Sequence, residues 1–254
     1  MQLLANKVAI VTGASSGIGR AAALLFARHG ALVVAAARRE QELREVVDII
    51  SAGGGTALAC AGDVTDDAFA RHLVELATEE CGGLHVAFNN AGTVGDLAAV
   101  PDMSRANWDS VLGTNLTSAF VAAKYQLPAL VAGGGGSLIF TSTFVGYTAG
   151  IPGMAAYAAS KAGLVGLTQV LAAEYGPKRV RVNALLPGGT DTPMGREFAS
   201  TPEARNFVCN LHALKRMADP DEIAQAALFL ASDASSFVTG TALLADGGVS
   251  ITRT

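Results

Sequence analysis

The sequence predicts an α/β fold, a doubly wound parallel β-sheet with helices on both faces. Three observations predict it. Short runs of β-branched and apolar residues alternate with longer segments of helical period along the 254-residue chain. The short runs are continuously apolar rather than apolar at every second residue, as strands covered on both faces require. The first run passes through a glycine-rich turn directly into a helical segment. Half of the residues are hydrophobic and only 16% are charged, so a sizeable core can form, and the 29 glycines with frequent alanines favour close backbone packing.

Taken in order, Lys7–Thr12 reads as a strand and Gly17–His29 as a helix. Ala31–Ala36 is a strand, Glu40–Ala52 a helix and Thr56–Cys60 a strand. Asp66–Glu80 is helical, followed by the strand Leu84–Asn89. Ser104–Val131 is a long helical stretch interrupted at Pro128. Gly133–Gly136 is a turn before the strand Ser137–Thr141. Ala155–Gly176 is helical, Val180–Leu185 a strand, Asp221–Ser232 a helix and Thr241–Ala245 a last short strand. The exception is Pro187–Leu214, with two prolines (Pro193, Pro202), small residues and no clear strand. It follows the carboxyl end of a strand, where open α/β sheets bind ligands, and is expected to form a loop or lid over substrate. Nothing else breaks the alternation, so one domain is expected across residues 1–254.

Composition narrows the function. The net charge is −4 and no long Lys/Arg run occurs, so no nucleic-acid partner is expected. No apolar run approaches the roughly 20 residues that span a bilayer. Met1–Lys7 lacks the charged start and apolar core of a signal peptide. The three cysteines, Cys60, Cys81 and Cys209, lack metal-ligand spacing and are expected as free thiols in a reducing, cytoplasmic setting. With four histidines and no His-Glu-x-x-His pattern, no metal site is expected.

Two motifs carry chemistry. Thr12-Gly13-Ala14-Ser15-Ser16-Gly17-Ile18-Gly19 joins the first strand to the first helix. Its glycines allow a tight turn, and the helix N-terminus adds partial positive charge where a pyrophosphate would sit. At the end of the second strand stands Ala37-Arg38-Arg39, without the carboxylate that would hold the ribose 2′-hydroxyl of NAD. Two guanidiniums suit a 2′-phosphate, so NADP(H) is preferred and NAD(H) remains open, with a solvated helix start the plainer reading of the pair. The second motif is Tyr157-Ala158-Ala159-Ser160-Lys161. A Tyr and a Lys four apart share a helix face. A nearby ammonium lowers a phenol's pKa and would make Tyr157 a general acid/base for alcohol and carbonyl chemistry.

With these residues the chain strongly resembles the short-chain dehydrogenase/reductase family over nearly its whole length. Thr12-Gly13-x-x-x-Gly17-x-Gly19 looks like that family's cofactor loop, Asp63-Val64 like its adenine contact, and Asn89-Asn90-Ala91-Gly92 like its signature after the fourth strand. Asn115, Tyr157 and Lys161 fall where the family keeps catalytic residues. Pro187-Gly188 with Thr190 and Thr192 looks like its nicotinamide contact, and Asp246-Gly247-Gly248 like its C-terminal ending. The resemblance implies a Rossmann-like fold and an NADP(H)-dependent oxidoreductase. It would transfer hydride between the nicotinamide and a ketone, aldehyde or secondary alcohol, with 3-oxoacyl chains still open. Tyr157 would be the proton donor or base, Lys161 would lower its pKa and hold the nicotinamide ribose, and Asn115 would hold a water in a proton relay. The contacts Ser15, Ser16, Ile18, Asn90, Ala91 and Gly92 follow from the same likeness. The family often forms homotetramers.

One position departs from the pattern. The family's Ser-x-x-Gly becomes Thr141-Ser142-Thr143-Phe144-Val145-Gly146. Register from Gly146 favours Thr143 as the group that polarises the carbonyl, and Ser142 stays a candidate, because adjacent strand residues face opposite sides. Phe144, Val145, Tyr147, Ile151, Met154, Met194 and Phe198 are expected to form a mostly apolar substrate wall. The competing reading is an NADP(H)-binding regulatory or scaffold protein without turnover.

Overall fold

The computed structural model describes residues 2–252. Seven parallel strands form one sheet: β1 Val8–Thr12, β2 Leu32–Ala37, β3 Thr56–Ala61, β4 Val86–Asn89, β5 Gly136–Thr141, β6 Val180–Pro187 and β7 Ala242–Ala245. Their order is β3-β2-β1-β4-β5-β6-β7. The order reverses between β1 and β4, and open α/β sheets bind ligands outside the carboxyl ends of their strands at this point.

Period-two alternation sorts each strand onto two cores. Ala9 and Val11 of β1 and Val33 and Ala35 of β2 face one core, closed by helices α1 Gly17–Arg28 and α2 Glu40–Ala52. Val8 and Ile10, with Val34 and Ala36, face the other, closed by α3 Asp67–Glu75 and by the longer helices described next. β1, β2 and β5 are buried on both faces, as their unbroken apolar runs require.

The long stretch after β4 differs from the sequence expectation. Its break is not at Pro128, which lies inside helix α5 Ser118–Ala132 without ending it. Leu127 and Leu130 on either side of it are buried in the core and hold the turn in place. The break falls earlier. Helix α4 Arg105–Leu112 widens into a π-turn over Gly113–Thr117 before α5 begins. Such widenings recur at functional sites, and this one carries Asn115. Helix α6 Ala155–Tyr175 then packs along β6.

The segment after β6 also differs. The stretch expected as irregular folds into two short helices, α7 Pro193–Phe198 and α8 Pro202–Leu211. Each starts in the same way. Thr192 accepts from the Gly195 N–H, Thr201 accepts from the Ala204 N–H, and a proline takes the first helical position. The Thr-Pro pairs are the sequence signal for both starts. Helix α9 Pro220–Ala231 repeats the device with Asp219 and Glu222 in a capping box, then packs on α1.

Beneath the switch point, Asn89 and Gln126 exchange two buried amide hydrogen bonds, 2.7 and 3.0 Å, which tie β4 to α5. Gln126→Leu should leave the Asn89 amide buried and unpaired and destabilise the fold by about 1–3 kcal/mol. Urea unfolding should show a smaller loss when both residues are leucine, because no polar group is then stranded.

Candidate active site

The site is built at the carboxyl ends of β1, β4, β5 and β6. The Thr12 hydroxyl, closing β1, accepts from the N–H groups of Asn90 and Ala91 at 3.0 and 3.1 Å. The Asn90 side chain returns a bond to the Thr12 carbonyl and accepts from the Thr141 hydroxyl at the end of β5. Three strand ends are thereby held in a fixed relation around the crevice.

The glycine turn lies at the mouth of that crevice. Gly13 and Gly17 have φ of +68° and +54°, a region costly for residues with a Cβ. A Cβ on Gly13 would meet the Asn90 amide at 2.9 Å, and one on Gly17 would meet the Thr192 methyl at 2.9 Å. The backbone is thus bare where a pyrophosphate needs it, and Ser16 opens α1 from an extended conformation. Ile18 is half-buried and packs against the core. Arg39 lies over the turn and donates to the hydroxyls of Ser15 and Ser16 at 3.0 and 2.9 Å. Glu42 holds the same guanidinium at 3.3 Å. Arg38 is exposed beside Asp63. The backbone and hydroxyl of Thr65 bond the Asp63 carboxylate and keep its pKa low, with a small contribution from Arg38. These residues fit a dinucleotide with a 2′-phosphate: a bare turn for its pyrophosphate and two exposed guanidiniums beside it for its extra charge.

At the other end, α6 presents Tyr157, Ser160 and Lys161 on one face. The Lys161 ammonium is buried and donates to the Thr141 carbonyl at 2.7 Å. It lies 5.9 Å from the centre of the Tyr157 ring. Burial lowers Lys161 to about 8, so it still carries its charge at neutral pH. The Tyr157 ring packs against Phe144, Val145 and Met154, and that apolar contact pushes its phenol up to about 12. This reverses the sequence expectation that Lys161 would pull the phenol down. In this arrangement desolvation dominates and the ammonium is turned to a backbone carbonyl.

The two hydroxyl candidates separate cleanly. Ser142 is buried and donates to the Lys161 carbonyl at 2.8 Å, so it supports α6 and faces away from the crevice. Thr143 lies beside the Tyr157 phenol and offsets part of its upward shift, while its hydroxyl accepts from the Val145 N–H at 3.3 Å. Asn115 uses its side chain on structure: its amide accepts from the Thr93 N–H and donates to the Thr93 carbonyl, each at 2.8 Å, and donates to the Ser160 hydroxyl at 2.9 Å. Gly92 lies between Asn115 and Lys161, and a Cβ there would meet the two side chains at 3.0 and 3.1 Å. Val64 and Ala91 face the inner end of the same crevice. On the far wall, Pro187 pairs with Ala245, a Cβ on Gly188 would strike the Asp246 backbone, and the Thr190 hydroxyl bonds the Gly188 carbonyl.

Of the expected substrate wall, Phe144, Val145 and Met154 are buried together, and Phe198 packs on them from α7. Tyr147, Ile151 and Met194 are exposed instead. Val94 and Val249 join the wall although nothing in the sequence marks single valines for that place. His212, also unmarked, is buried, accepts from the Gly189 N–H at Nε2 and donates to the Val208 carbonyl at Nδ1.

Comparison with known proteins is consistent throughout. A family model described as enoyl-(acyl carrier protein) reductase matches residues 13–250. Cyclohexanol dehydrogenase of Acinetobacter sp. (strain SE19) is 39% identical over 95% of this chain and 94% of that protein. A short-chain type dehydrogenase/reductase from Mycobacterium marinum superposes with a TM-score of 0.93 at 36% identity, covering 98% of this chain and 97% of that one. A putative NAD(P)-dependent gluconate 5-dehydrogenase from Beutenbergia cavernae with bound NADP gives 0.91 at 38% identity, covering 97% of each chain.

The buried ammonium has a consequence for stability. With Lys161 at about 8 in the fold and near 10.5 when unfolded, the unfolded chain binds the extra proton between those values, so stability should rise with pH across that window. The rise is on the order of 3 kcal/mol. Chemical denaturation of Lys161→Met from pH 7.5 to 10.5 should lack it.

Proposed function

The chain belongs to the short-chain dehydrogenase/reductase family, and we propose that it works as an NADP(H)-dependent oxidoreductase on ketones, aldehydes or secondary alcohols with Tyr157 as its proton donor. One observation carries this reading. A phenol beside Thr143 and a buried ammonium on the same helix face stand at the carboxyl end of β5. The cationic fork of Arg39 stands over the glycine turn at the same crevice.

NADPH, when bound, supplies hydride to the carbonyl carbon. Gly13, Ser15, Ser16, Gly17, Ile18 and Gly19 would hold its pyrophosphate side, Arg38 and Arg39 its 2′-phosphate, and Asp63 and Val64 its adenine. Asn90, Ala91, Gly92, Lys161, Pro187, Gly188, Thr190 and Thr192 would hold the nicotinamide half. The division of labour follows from the environments. A phenol pushed up to about 12 keeps its proton at neutral pH, so Tyr157 is poised to donate to the developing alkoxide in reduction. Thr143 donates a second hydrogen bond to the same oxygen. Lys161 keeps a positive charge behind the phenol. Asn115, through Thr93 and Ser160, fixes the floor on which Lys161 rests.

The wall of Phe144, Val145, Met154, Phe198, Val94 and Val249 supports an uncharged, largely apolar substrate. The cyclohexanol relative and the acyl-carrier description of the family model both point the same way. Residues 187–214 act as a lid over it. Exposed Phe120 and Val170 on α5 and α6, with Phe237 and Leu244 by β7, support a homo-oligomer, a tetramer by family likeness. Three free cysteines support a cytoplasmic place, and among the described residues no helix is long and apolar enough to cross a membrane. The net charge of −4 supports the absence of a nucleic-acid partner.

A panel of ketones, aldehydes and 3-oxoacyl thioesters assayed by NADPH absorbance tests the reading. Tyr157→Phe should lower kcat by about 10²–10⁴-fold. Thr143→Ala should lose about 10²-fold while Ser142→Ala keeps most activity; the reverse order would refute the role of Thr143. Arg39→Ala should weaken NADPH binding by about tenfold or more and leave NADH nearly unchanged, as equilibrium titration of cofactor fluorescence would show.

A further inference from the structure

The start of α7 roofs the glycine turn. The Thr192 methyl lies where a Cβ on Gly17 would meet it at 2.9 Å, and Pro193 follows at 3.9 Å. A dinucleotide lying along that turn lies beneath this roof, so leaving requires α7 to lift. The fastenings of the lid at its two ends differ in kind. At the far end His212 is 2% exposed, and both its ring nitrogens are bonded, one to Gly189 and one to Val208. At the near end the fastening is an exposed charge cluster. Asp191 accepts from Arg196 of α7 at 2.7 Å on one carboxylate oxygen and from Arg205 of α8 at 3.0 Å on the other. The backbone of Asp191 is itself anchored, its N–H donating to the Ala218 carbonyl at 2.9 Å. One carboxylate on a fixed post therefore holds both lid helices.

From this geometry we infer that Asp191 is the latch of the lid, a positioning residue whose bonds to Arg196 and Arg205 set how fast NADP(H) leaves. Both guanidiniums hold the Asp191 carboxyl below the usual carboxylate range, Arg205 the more strongly. The Arg196 and Arg205 side chains are 65% and 47% exposed, so the latch is open to salt screening while the His212 end is not. Opening is thus directed to the cofactor end. The inference rests on the reading of residues 187–214 as a lid and of the chain as an NADP(H) enzyme.

Stopped-flow displacement of bound NADPH, followed by its fluorescence, tests it without turnover. Asp191→Asn should raise the dissociation rate by about three- to tenfold, the scale of two exposed ion pairs lost together. Asp191→Glu should restore most of the wild-type rate. Arg196→Gln/Arg205→Gln should reproduce the increase, and adding Asp191→Asn to it should do nothing more, because one interaction is already gone. Raising salt should speed release more steeply from the wild type than from Asp191→Asn, because screening of the arginines that face the 2′-phosphate acts on both. Melting curves confirm that each variant is folded, and the arginine pair carries the test if Asp191→Asn is not. An unchanged rate, or additive effects in the triple variant, overturns the latch alone. A wild-type protein that binds no NADPH overturns the functional reading and the latch with it.

Discussion

The Thr12 hydroxyl is the small contact on which the site depends. It accepts two backbone N–H groups from the chain that leaves β4. At the switch point, connections run outward in both directions and leave a crevice that no strand covers. Thr12 sets the width of that crevice, and Asn90 extends the same clasp to Thr141 at the end of β5. Thr141 in turn offers its carbonyl to Lys161. The glycine turn at the end of β1 and the lysine of α6 are therefore connected through one short series of hydrogen bonds across three strand ends.

Burial then decides protonation. The same apolar surroundings that exclude water raise the Tyr157 phenol and lower the Lys161 ammonium, each toward its uncharged form. The resulting order keeps the phenol protonated and the lysine charged at neutral pH, a proton donor backed by a cation. Loss of solvent sets the phenol, rather than the coulombic help from Lys161 that a Tyr-x-x-x-Lys spacing suggests. The ammonium meets the phenol's ring while its hydrogen bond goes to a strand carbonyl.

The lid shows a different balance. Its inner face contributes Phe198 to the apolar wall, and its outer face carries the charges of Arg196 and Arg205. Apolar contact gives the pocket its chemistry, whereas exposed ion pairs are individually weak.

Much of this was legible in the chain. Continuous apolar runs such as Leu32–Ala37 predict buried parallel strands because only a sheet covered on both faces removes every second side chain from water as well as the first. The glycine turn, the paired arginines and the Tyr-Lys helix turn are local patterns, so their places could be read directly. What the sequence left open is non-local. Ser142 and Thr143 are adjacent hydroxyls with the same chemistry, and only the end of β5 against α6 turns one to the Lys161 carbonyl and leaves the other beside the phenol. The break expected at Pro128 lies instead at Gly113–Thr117, because packing of Leu127 and Leu130 carries the helix through the proline. Val249, His212 and the Asp191 latch join elements remote in sequence, and no periodicity marks such meetings. By itself the sequence determined the fold class and marked the glycine turn and the Tyr157-Lys161 pair, because each is written in neighbouring residues. Tertiary structure alone decided which of Ser142 and Thr143 lies beside the phenol, which way each pKa moves and how Asp191 joins α7 to α8, because those depend on burial and on contacts between distant segments.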